Sequence, residues 1–303
     1  MIKRLKYNEI DFAKYSQCIE NACQRKYSAT KDFLDITAGK NWELLVYNNY
    51  EAVMPVCCFS KLGLKMVYNP KLCQQLGVFS QEDSVAVNDL FFEFLNKNYW
   101  VRYYGFNDIN SFSKPLQKRK NFLMMPRSYD EIYQKYSPKR KRKLRQEPEI
   151  KEHSEIRYHL DLNEVEEFIL KNMRGADHHP SDHLEFMKIF RQFYEKQRLE
   201  LVGYYYHGRL TNVIALYEDE LTVALLGTYN DAEFVKISGA SVLIDDAIRK
   251  NIQHKIFDFE GGDIPNIEEF FRGFRPEMKP YPCYGNSKKE LVKKLFRLKN
   301  RAN

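Results

Sequence analysis

The sequence lacks any apolar run long enough to span a bilayer, so it predicts no transmembrane helix. Its basic start, from Met1 to Lys6, leads into polar residues rather than into the apolar stretch of a signal peptide. Short-period repeats and low-complexity segments are also missing from the chain of 303 residues. From these absences we expect a cytoplasmic protein.

Cysteine is sparse, and its spacing does not match the familiar metal and redox motifs. The chain has 6 cysteines, and none of them forms a CxxC or zinc-ribbon pattern. Cys57 and Cys58 are adjacent, so in a strand their side chains point to opposite faces. We expect reduced, mostly buried thiols, and a catalytic cysteine is the less favoured alternative.

One segment contains residue types that bind metals, but their arrangement does not favour a metal site. Residues 177–183 read Asp-His-His-Pro-Ser-Asp-His. Pro180 keeps His179 out of the helix that follows, so His179 and His183 do not form an i, i+4 pair of zinc ligands. We expect a solvated or substrate-covering loop here and no bound metal.

Aromatic and basic side chains, by contrast, are abundant. The chain is 44% hydrophobic and 15% aromatic, with 21 tyrosines and 21 phenylalanines, which is ample material for a buried core. The net charge of +7 is concentrated in the cluster Lys139–Arg145 and in the C-terminal tail, residues 288–301. Clusters of this kind attract the phosphates of nucleotides, coenzymes, RNA or lipid headgroups.

The hydrophobic pattern runs twice through one order of elements: helices, antiparallel strands, a further helix and a last strand. The first half predicts helices at residues 10–22 and 84–96, and strands at 43–47, 51–59, 64–68 and 99–104. The second half predicts helices at 129–136, from Ser137 onward, and at 162–173, 182–196 and 238–251, with strands at 156–159, 200–206, 210–217, 221–228 and 256–259. This order indicates an α+β fold rather than a regular βαβ alternation.

The segment after the last predicted strand combines several features of a functional site. Asp258 and Glu260 are two residues apart, so in a strand they would share one face and could converge on a cleft. Two glycines then allow a tight turn, and an amphipathic helix follows over residues 267–275. A partly buried carboxylate could serve as the base in acyl transfer to an amine. The alternative is that one of the two caps the turn or pairs with Arg272.

Three segments of the second half carry a family resemblance: Tyr136–Arg145, Ile237–Asp245, and Ile256–Arg275 followed by Tyr281. They are similar to motifs of the Fem-type aminoacyltransferases, which contain tandem GNAT domains. In the first half, residues 42–47, 50–56 and 74–80 resemble an uncharacterised bacterial branch of GNAT and Fem-like proteins. The resemblance implies two tandem GNAT-like units, each a mostly antiparallel mixed sheet flanked by helices.

The same resemblance sets the expected domains. We expect a first unit over residues 1–128, with a C-terminal helix at residues 285–303 packing back on it. A second unit over residues 129–284 would carry the site, either in its own cleft or in one shared with the first unit.

The resemblance also implies an activity, namely acyl or aminoacyl transfer to an amine acceptor by an acyltransferase related to the cell envelope. Acyl-CoA or aminoacyl-tRNA would be the co-substrate, with no tightly bound cofactor. The acceptor would be a small molecule or a muropeptide-like compound, and tRNA would be a partner if the donor is aminoacylated. The segment 234–240, which corresponds to the phosphate-binding segment of GNAT proteins, holds a single glycine.

The expected site residues fall into three groups. The catalytic pair is Asp258 and Glu260. The substrate-binding residues are Arg272, Arg275, Tyr281, Arg140 and Arg142, where Arg275 replaces a glycine of the family pattern. The acyl-donor phosphates would lie at a helix start, where free amides attract anions, on Lys236, Ser238, Gly239 and Ala240.

A rival interpretation is a non-catalytic module. In that case the basic clusters would bind phosphate-rich partners, either RNA or an anionic membrane surface. A third interpretation of Lys139–Arg145, and of Arg272 with Arg275, is a charged helix face that contacts only solvent.

Overall fold

The computed structural model describes residues 1–61, 64–173, 180–287 and 289–291. They form two compact units. The first comprises Met1–Arg119 and the described residues from Pro280 onward, and the second comprises Lys120–Lys279. Within the described ranges, no helix combines the length and apolarity that crossing a membrane requires.

Among its described residues, the first unit contains three α-helices and two short 3-10 helices with assigned bounds, together with nine strands. Its α-helices are α1 (Phe12–Asn21), α2 (Lys31–Thr37) and α3 (Val85–Asn98). Its strands are β1 (Ile2–Leu5), β2 (Trp42–Tyr47), β3 (Ala52–Lys61), β4 (Leu64–Val67), β5 (Phe79–Ser80), β6 (Trp100–Val101), β7 (Tyr104–Gly105), β8 (Gln117–Arg119) and β16 (Tyr281–Tyr284).

The main sheet of the first unit is an antiparallel meander with one parallel addition. Its strand order is β1-β2-β3-β4-β6, and β5 also pairs with β3. Strands β1 to β4 are antiparallel to their neighbours, and β6 returns parallel to β4 after the helix α3. A small separate sheet has the order β7-β16-β8.

The second unit contains seven α-helices and seven strands among its described residues. Its helices are α4 (Tyr129–Lys135), α5 (Pro138–Arg145), α6 (Pro148–Glu152), α7 (Leu162–Asn172), α8 (Pro180–Glu195), α9 (Gly239–Asn251) and α10 (Pro265–Arg272). Its strands are β9 (Phe122–Met124), β10 (Ser154–Arg157), β11 (Leu199–Tyr206), β12 (Arg209–Glu218), β13 (Thr222–Asn230), β14 (Ile256–Asp258) and β15 (Glu277–Met278).

The second unit repeats the topology of the first on a larger scale. Strands β10 to β13 form an antiparallel meander, α9 crosses over, and β14 returns parallel to β13. Strands β9 and β15 extend this sheet beyond β14. Two such units in one chain give the tandem GNAT-like α+β architecture that the sequence predicts.

The core of the second unit lies between α9 and the meander. Leu243, Ile244 and Ile248 of α9 are fully buried and belong to one cluster with Ile214 and Leu216 of β12. Removing this much apolar surface from water is the main favourable term for folding, at about 25 cal/mol per Å². It fixes the position of α9, and so of the residues at the start of that helix.

Several predicted elements are confirmed, and the helix start at Ser137 is the clearest of them. The Ser137 side chain accepts a hydrogen bond from the Arg140 backbone amide at 3.1 Å, and Pro138 occupies the first helical position. The prediction that most of the cysteines are buried is also confirmed, since four of the six are buried, and all six are free.

Two expectations about the chain path differ from the structure. The single strand predicted at residues 99–104 is divided into β6 and β7, because the Arg102 amide turns back to the Val67 carbonyl and β7 joins the small sheet. The expected boundary at residue 128 also differs. Residues 122–124 pair with β14 and so group with the second unit, whereas Tyr281–Tyr284 pairs with β7 and β8 in the first.

Candidate functional site

The second unit has an open strand edge next to the start of α9. Strand β13 pairs with β14 only from Thr222 to Ala224, although β13 itself continues to Asn230. In the described part of the chain, no strand pairs with that side of β13 beyond Ala224. An unpaired edge of this kind presents backbone amides and carbonyls that a ligand with amide groups can bind.

The start of α9 has an unusual backbone. Ser238 occupies the left-handed region with φ of 62°, and its side chain makes no hydrogen bond to the helix that it precedes. Gly239 is packed so tightly that a Cβ atom there would lie 2.1 Å from Oδ1 of Asn212. Packing of the helix against the sheet therefore requires this glycine. The first amides of the helix have no intrahelical partner, as at any helix start.

The turn after β14 changes the expected geometry of the two carboxylates. The strand ends at Asp258, and Glu260 has φ of 50°, so the two side chains do not share a strand face. Asp258 is 1% exposed, and its Oδ1 accepts from the Glu260 amide at 2.9 Å and from Nδ2 of Asn121 at 3.0 Å. The turn-capping alternative therefore describes Asp258, and the half-buried Glu260 is the more accessible carboxylate.

Arg140 is a buried arginine that joins three elements. It is 4% exposed, and it donates from Nη1 to the hydroxyl of Ser241 on α9 and from Nη2 to the Phe270 carbonyl at 2.7 Å. Its guanidinium carbon lies 4.2 Å and 4.0 Å from the ring centroids of Phe270 and Phe274. These contacts tie α5 to the start of α9 and to α10.

The charge of the same arginine is only partly compensated. Its Nε is buried and has no hydrogen-bond partner among the described residues. Burial lowers the pKa of Arg140 to about 10, an effect that nearby Tyr136 and Asp245 offset only in part, so it stays charged at neutral pH. Asp245 itself accepts from the Tyr129 hydroxyl on both oxygens, at 3.0 and 2.9 Å.

A cavity of about 450 Å³ opens between α5 and the end of α10, beside Arg140. It brings together three of the predicted substrate-binding residues, Arg140, Arg272 and Arg275. The full lining is Ser137, Lys139, Arg140, Lys143, Asn266, Glu269, Phe270, Arg272, Gly273 and Arg275. Five of these side chains are cationic and one is anionic, so the cavity suits an anion.

Other predicted site residues lie elsewhere. Arg142 is exposed on α5 and does not line this cavity. Tyr281 is fully buried in the first unit, where its hydroxyl is 3.4 Å from that of Tyr103. Lys236 is exposed in the short 3-10 turn Ala232–Ile237 before α9, and Ala240 is half-buried. Residues 177–179 of the histidine segment lie outside the described residues, as does most of the expected helix at 285–303.

Two cationic cavity residues, Lys139 and Lys143, were not among the predicted site residues. They are four residues apart on α5 and share a face with Arg140, so helical spacing could have identified them. Burial lowers the pKa of Lys143, and Arg140 and Lys139 lower it further. Arg272 pairs with Glu268 at 2.7 Å rather than with Asp258 or Glu260.

A larger cavity of about 530 Å³ lies in the first unit, near the start of α3. Its lining includes the thiol of Cys18, whose pKa burial raises to about 11. A thiol with that pKa is protonated at neutral pH and is a weak nucleophile. The lining cation Lys14 is accompanied by two acids, Glu51 and Glu82, so this cavity has no excess positive charge.

Comparison with solved structures places the fold among tandem GNAT proteins. The structure of FemX is similar over 98% of this chain and 99% of that chain, with a TM-score of 0.65 and 10% identity. A tandem GNAT protein from the clavulanic acid biosynthesis pathway is similar over 93% and 97% of the two chains, with a TM-score of 0.51 and 7% identity.

A third similar structure is the C-terminal domain of a putative lysylphosphatidylglycerol synthetase from Agrobacterium fabrum. It covers 94% of this chain and 95% of that chain, with a TM-score of 0.52 and 10% identity. No family model and no curated protein sequence matches the chain. The chain therefore has the tandem GNAT fold of Fem-like proteins, and at these identities the likeness extends to the fold alone.

Proposed function

We propose that this protein transfers an acyl or aminoacyl group to an amine acceptor, with the reaction centred on the second unit. The observation that carries the proposal is the open edge of β13 beside the uncapped start of α9. The fold shared with FemX and with the tandem GNAT protein is consistent with this class of reaction. The donor would be acyl-CoA or aminoacyl-tRNA, and the acceptor a small molecule or a muropeptide-like amine.

The open edge gives the donor a place to bind. Leu226, Gly227 and Thr228 are half-buried and lie on β13 beyond Ala224, the last residue that pairs with β14. A donor with amide groups would pair with this edge as an added strand. Its phosphate would lie at the start of α9, where Lys236, Ser238, Gly239 and Ala240 supply a cation and helix-end amides.

Glu260 is the proposed base. It lies two residues beyond Asp258, the last residue of β14 that pairs with β13, and so near the point where the edge opens. Its positive φ is a strained conformation for a non-glycine residue, and such strain persists where surrounding structure enforces it. Asp258 would act as a positioning residue, because its carboxylate holds the Glu260 amide.

The proposed step balances without a further reactant. The acceptor nitrogen forms a new C–N bond to the acyl carbon, and the thioester C–S or ester C–O bond of the donor breaks. Glu260 takes the proton that the nitrogen loses, and the leaving thiolate or alkoxide is protonated in turn. Because the acceptor nitrogen loses this proton as the C–N bond forms, the product is a neutral amide.

The experiment is a transfer assay on the full chain. Acetyl-CoA and aminoacyl-tRNA are each offered with a panel of amines that includes UDP-linked muropeptides, and release of thiol or of deacylated tRNA is measured. We expect turnover with at least one donor above the rate without protein. If no donor is consumed in the presence of any of these amines, the proposed function is contradicted.

A second candidate is a non-catalytic module that binds phosphate-rich partners, and the cationic cavity beside Arg140 favours it. The two candidates differ in which ligands stabilise the fold, since a ligand that binds only the native state raises the unfolding temperature. A thermal-shift screen would separate them. Stabilisation by polyanions alone, weakened uniformly by salt, would favour the module over the transferase.

A further inference from the structure

Within the described part of the chain the charge of Arg140 is balanced only in part, by the nearby carboxylate of Asp245. It makes two hydrogen bonds, to a hydroxyl and to a carbonyl, both of which are neutral acceptors. Its Nε is buried without a partner, and only 4% of the residue is exposed. Burying a charge without pairing it is costly, so a native arginine in this state indicates that an anion completes its surroundings.

The cavity beside Arg140 contains further cations that point to the same ligand. Lys139 and Lys143 contribute from α5, Arg272 from the end of α10, and Arg275 from the segment that follows that helix. The single lining acid, Glu269, pairs with Lys139 at 3.1 Å, but both side chains are largely exposed, at 75% and 65%. An exposed pair of this kind adds little and can rearrange when an anion enters.

Arg275 occupies a backbone conformation that favours glycine. Its φ is 59°, yet the chain carries a long cationic side chain at this position, and the residue is part of the cavity lining. Glycine would adopt this φ without strain. The position therefore offers a substitution that removes one cavity cation while relaxing the backbone.

We propose that the cavity between α5 and the end of α10 binds a phosphate group, and that this is a second phosphate of the acyl donor's nucleotide portion, separate from the phosphate proposed at the start of α9. The assignment of the phosphate to the donor rests on the proposed function, whereas the phosphate site itself does not. Arginine and lysine together bind phosphate oxygens through charge-assisted hydrogen bonds, which are the strongest that such side chains make.

The charge and the volume favour phosphate over a carboxylate. Arg272 is paired with Glu268, and Lys139 with Glu269. The remaining cavity cations, Arg140, Lys143 and Arg275, exceed what a single carboxylate could neutralise, whereas a diphosphate or a phosphodiester segment carries several charged oxygens. A cavity of about 450 Å³ is also large enough for more than one phosphate. A face that contacts only solvent would not require a buried arginine at its base.

The test is calorimetric titration of the full chain with inorganic pyrophosphate at low salt. We expect saturable binding by the wild type, weakened roughly tenfold by Lys143→Gln and by Arg275→Gly, the loss expected for one charge-assisted hydrogen bond. Arg145→Gln is the matched control, because Arg145 is an exposed cation on the same helix that does not line the cavity. The affinity of Arg145→Gln for pyrophosphate should lie within about twofold of the wild-type affinity, because Arg145 acts on the cavity only through a charge that the solvent screens.

Arg140 itself is a poor first variant, since its loss could unfold the unit that it joins. Arg275→Gly avoids this difficulty, because it should raise the unfolding temperature while it weakens pyrophosphate binding. If Arg275 had only a structural role, Arg275→Gly would lower both the unfolding temperature and the affinity for pyrophosphate. Equal weakening by Arg145→Gln and Lys143→Gln, or an absence of pyrophosphate binding at low salt, would overturn the proposal.

Competition identifies the source of the phosphate. Coenzyme A or a short single-stranded RNA is titrated into the pyrophosphate complex, and displacement by one of them at lower concentration assigns the donor class. Displacement by neither would overturn the assignment to the donor. The transfer assay is independent of these titrations, so pyrophosphate binding without turnover would contradict the proposed function and leave the phosphate site standing.

Discussion

Each unit contains an ionic side chain that is buried to the same extent, Glu43 in the first and Arg140 in the second, both 4% exposed. Glu43 lies on β2 and accepts from Arg4 at 2.7 and 2.8 Å, from Lys65, and from the Tyr99 hydroxyl at 2.9 Å. Arg140 is as deeply buried, but among the described residues it has only neutral acceptors. A charge that the chain itself neutralises is structural, whereas one that it leaves unpaired indicates a ligand.

The strand edges of the two units also differ, since, among the described residues, the chain's own side chains hold the edge region of the first unit but not that of the second. In the first unit, the chain after β4 is tied down by Asn69, whose side chain donates to the Gln74 carbonyl at 3.1 Å and accepts from the Gly105 amide at 3.3 Å. In the second unit, β13 continues past the end of β14 with its edge open. The same topology is therefore closed by its own side chains in one copy and left open in the other.

The helix starts that follow show the contrast again. The side chain of Ser84 accepts from the Val87 amide and caps α3, whereas Ser238 adopts a left-handed backbone and caps nothing with its side chain. N-capping side chains stabilise a helix by about 1 kcal/mol. The second unit lacks that contribution at the start of α9, where we propose that one phosphate of the donor binds.

The largest expected effect is on the paired charge of the first unit. Glu43→Ala removes the carboxylate that two cations and a hydroxyl share, and we expect a loss of about 2–3 kcal/mol in the free energy of unfolding. Urea denaturation measures it. Glu20→Ala, on the exposed face of α1, is the control and should change stability by less than about 0.5 kcal/mol. A similar loss of unfolding free energy in the two variants would show that the Glu43 ion pairs do not stabilise the first unit.

The next effect is on turnover. Glu260→Gln should lower turnover at least tenfold, about 1.4 kcal/mol in activation free energy, because the proposed base loses its ability to accept a proton. Circular dichroism and the unfolding temperature should match the wild type. Glu167→Gln, an exposed position on α7, should leave turnover unchanged. Wild-type turnover in Glu260→Gln would rule out this residue as the base.

Acid titration tests the paired charge without changing the fold at neutral pH. Burial raises the pKa of Glu43, but the hydrogen bonds from Arg4, Lys65 and Tyr99 outweigh this effect and bring the pKa to about 2, well below the usual value for glutamate. The stabilisation is therefore complete above about pH 5 and is lost as the pH falls toward 2.

We expect the stability difference between the wild type and Glu43→Gln to shrink by about 1 kcal/mol from pH 6 to pH 3, after allowing for the partial exposure of both cations. Urea denaturation at the two pH values measures this difference. A difference that stays constant over this range would contradict the ionic role of Glu43.

The smallest expected effect is a change in stability at Arg275, a cavity residue whose backbone has a positive φ. Arg275→Gly should raise the free energy of unfolding by about 0.5–1 kcal/mol, because glycine adopts a positive φ without the strain that a side chain brings. Thermal denaturation measures it. Destabilisation by this substitution would indicate that the Arg275 side chain contributes to packing.

Periodicity in the sequence predicts the long elements well. Helices α3 and α9 and the strands β11 to β13 lie where their hydrophobic patterns place them, because each is long enough for a local repeat to appear. Strands such as β9 and β15 have only three and two residues. They exist because of partners far along the chain, so no local pattern indicates them.

The site was predictable only in part, for a similar reason. The charge of Lys139–Arg145 is visible in the sequence, but the burial of Arg140 depends on Phe270 and Phe274, which are remote in sequence. The expectation that Asp258 and Glu260 share a face failed because Glu260 has a positive φ, a conformation that is uncommon for glutamate. Composition and spacing do not determine the backbone geometry of single residues, so the sequence could not predict this feature of the site.

Hydrogen exchange of the full chain with and without its acyl donor tests the central claim most directly, because it compares the two units in one experiment. Our account predicts new protection of backbone amides over residues 225–230 of β13 and at Gly239 and Ala240, with no change at the start of α3. Protection at the start of α3 instead, with β13 unchanged, would contradict it.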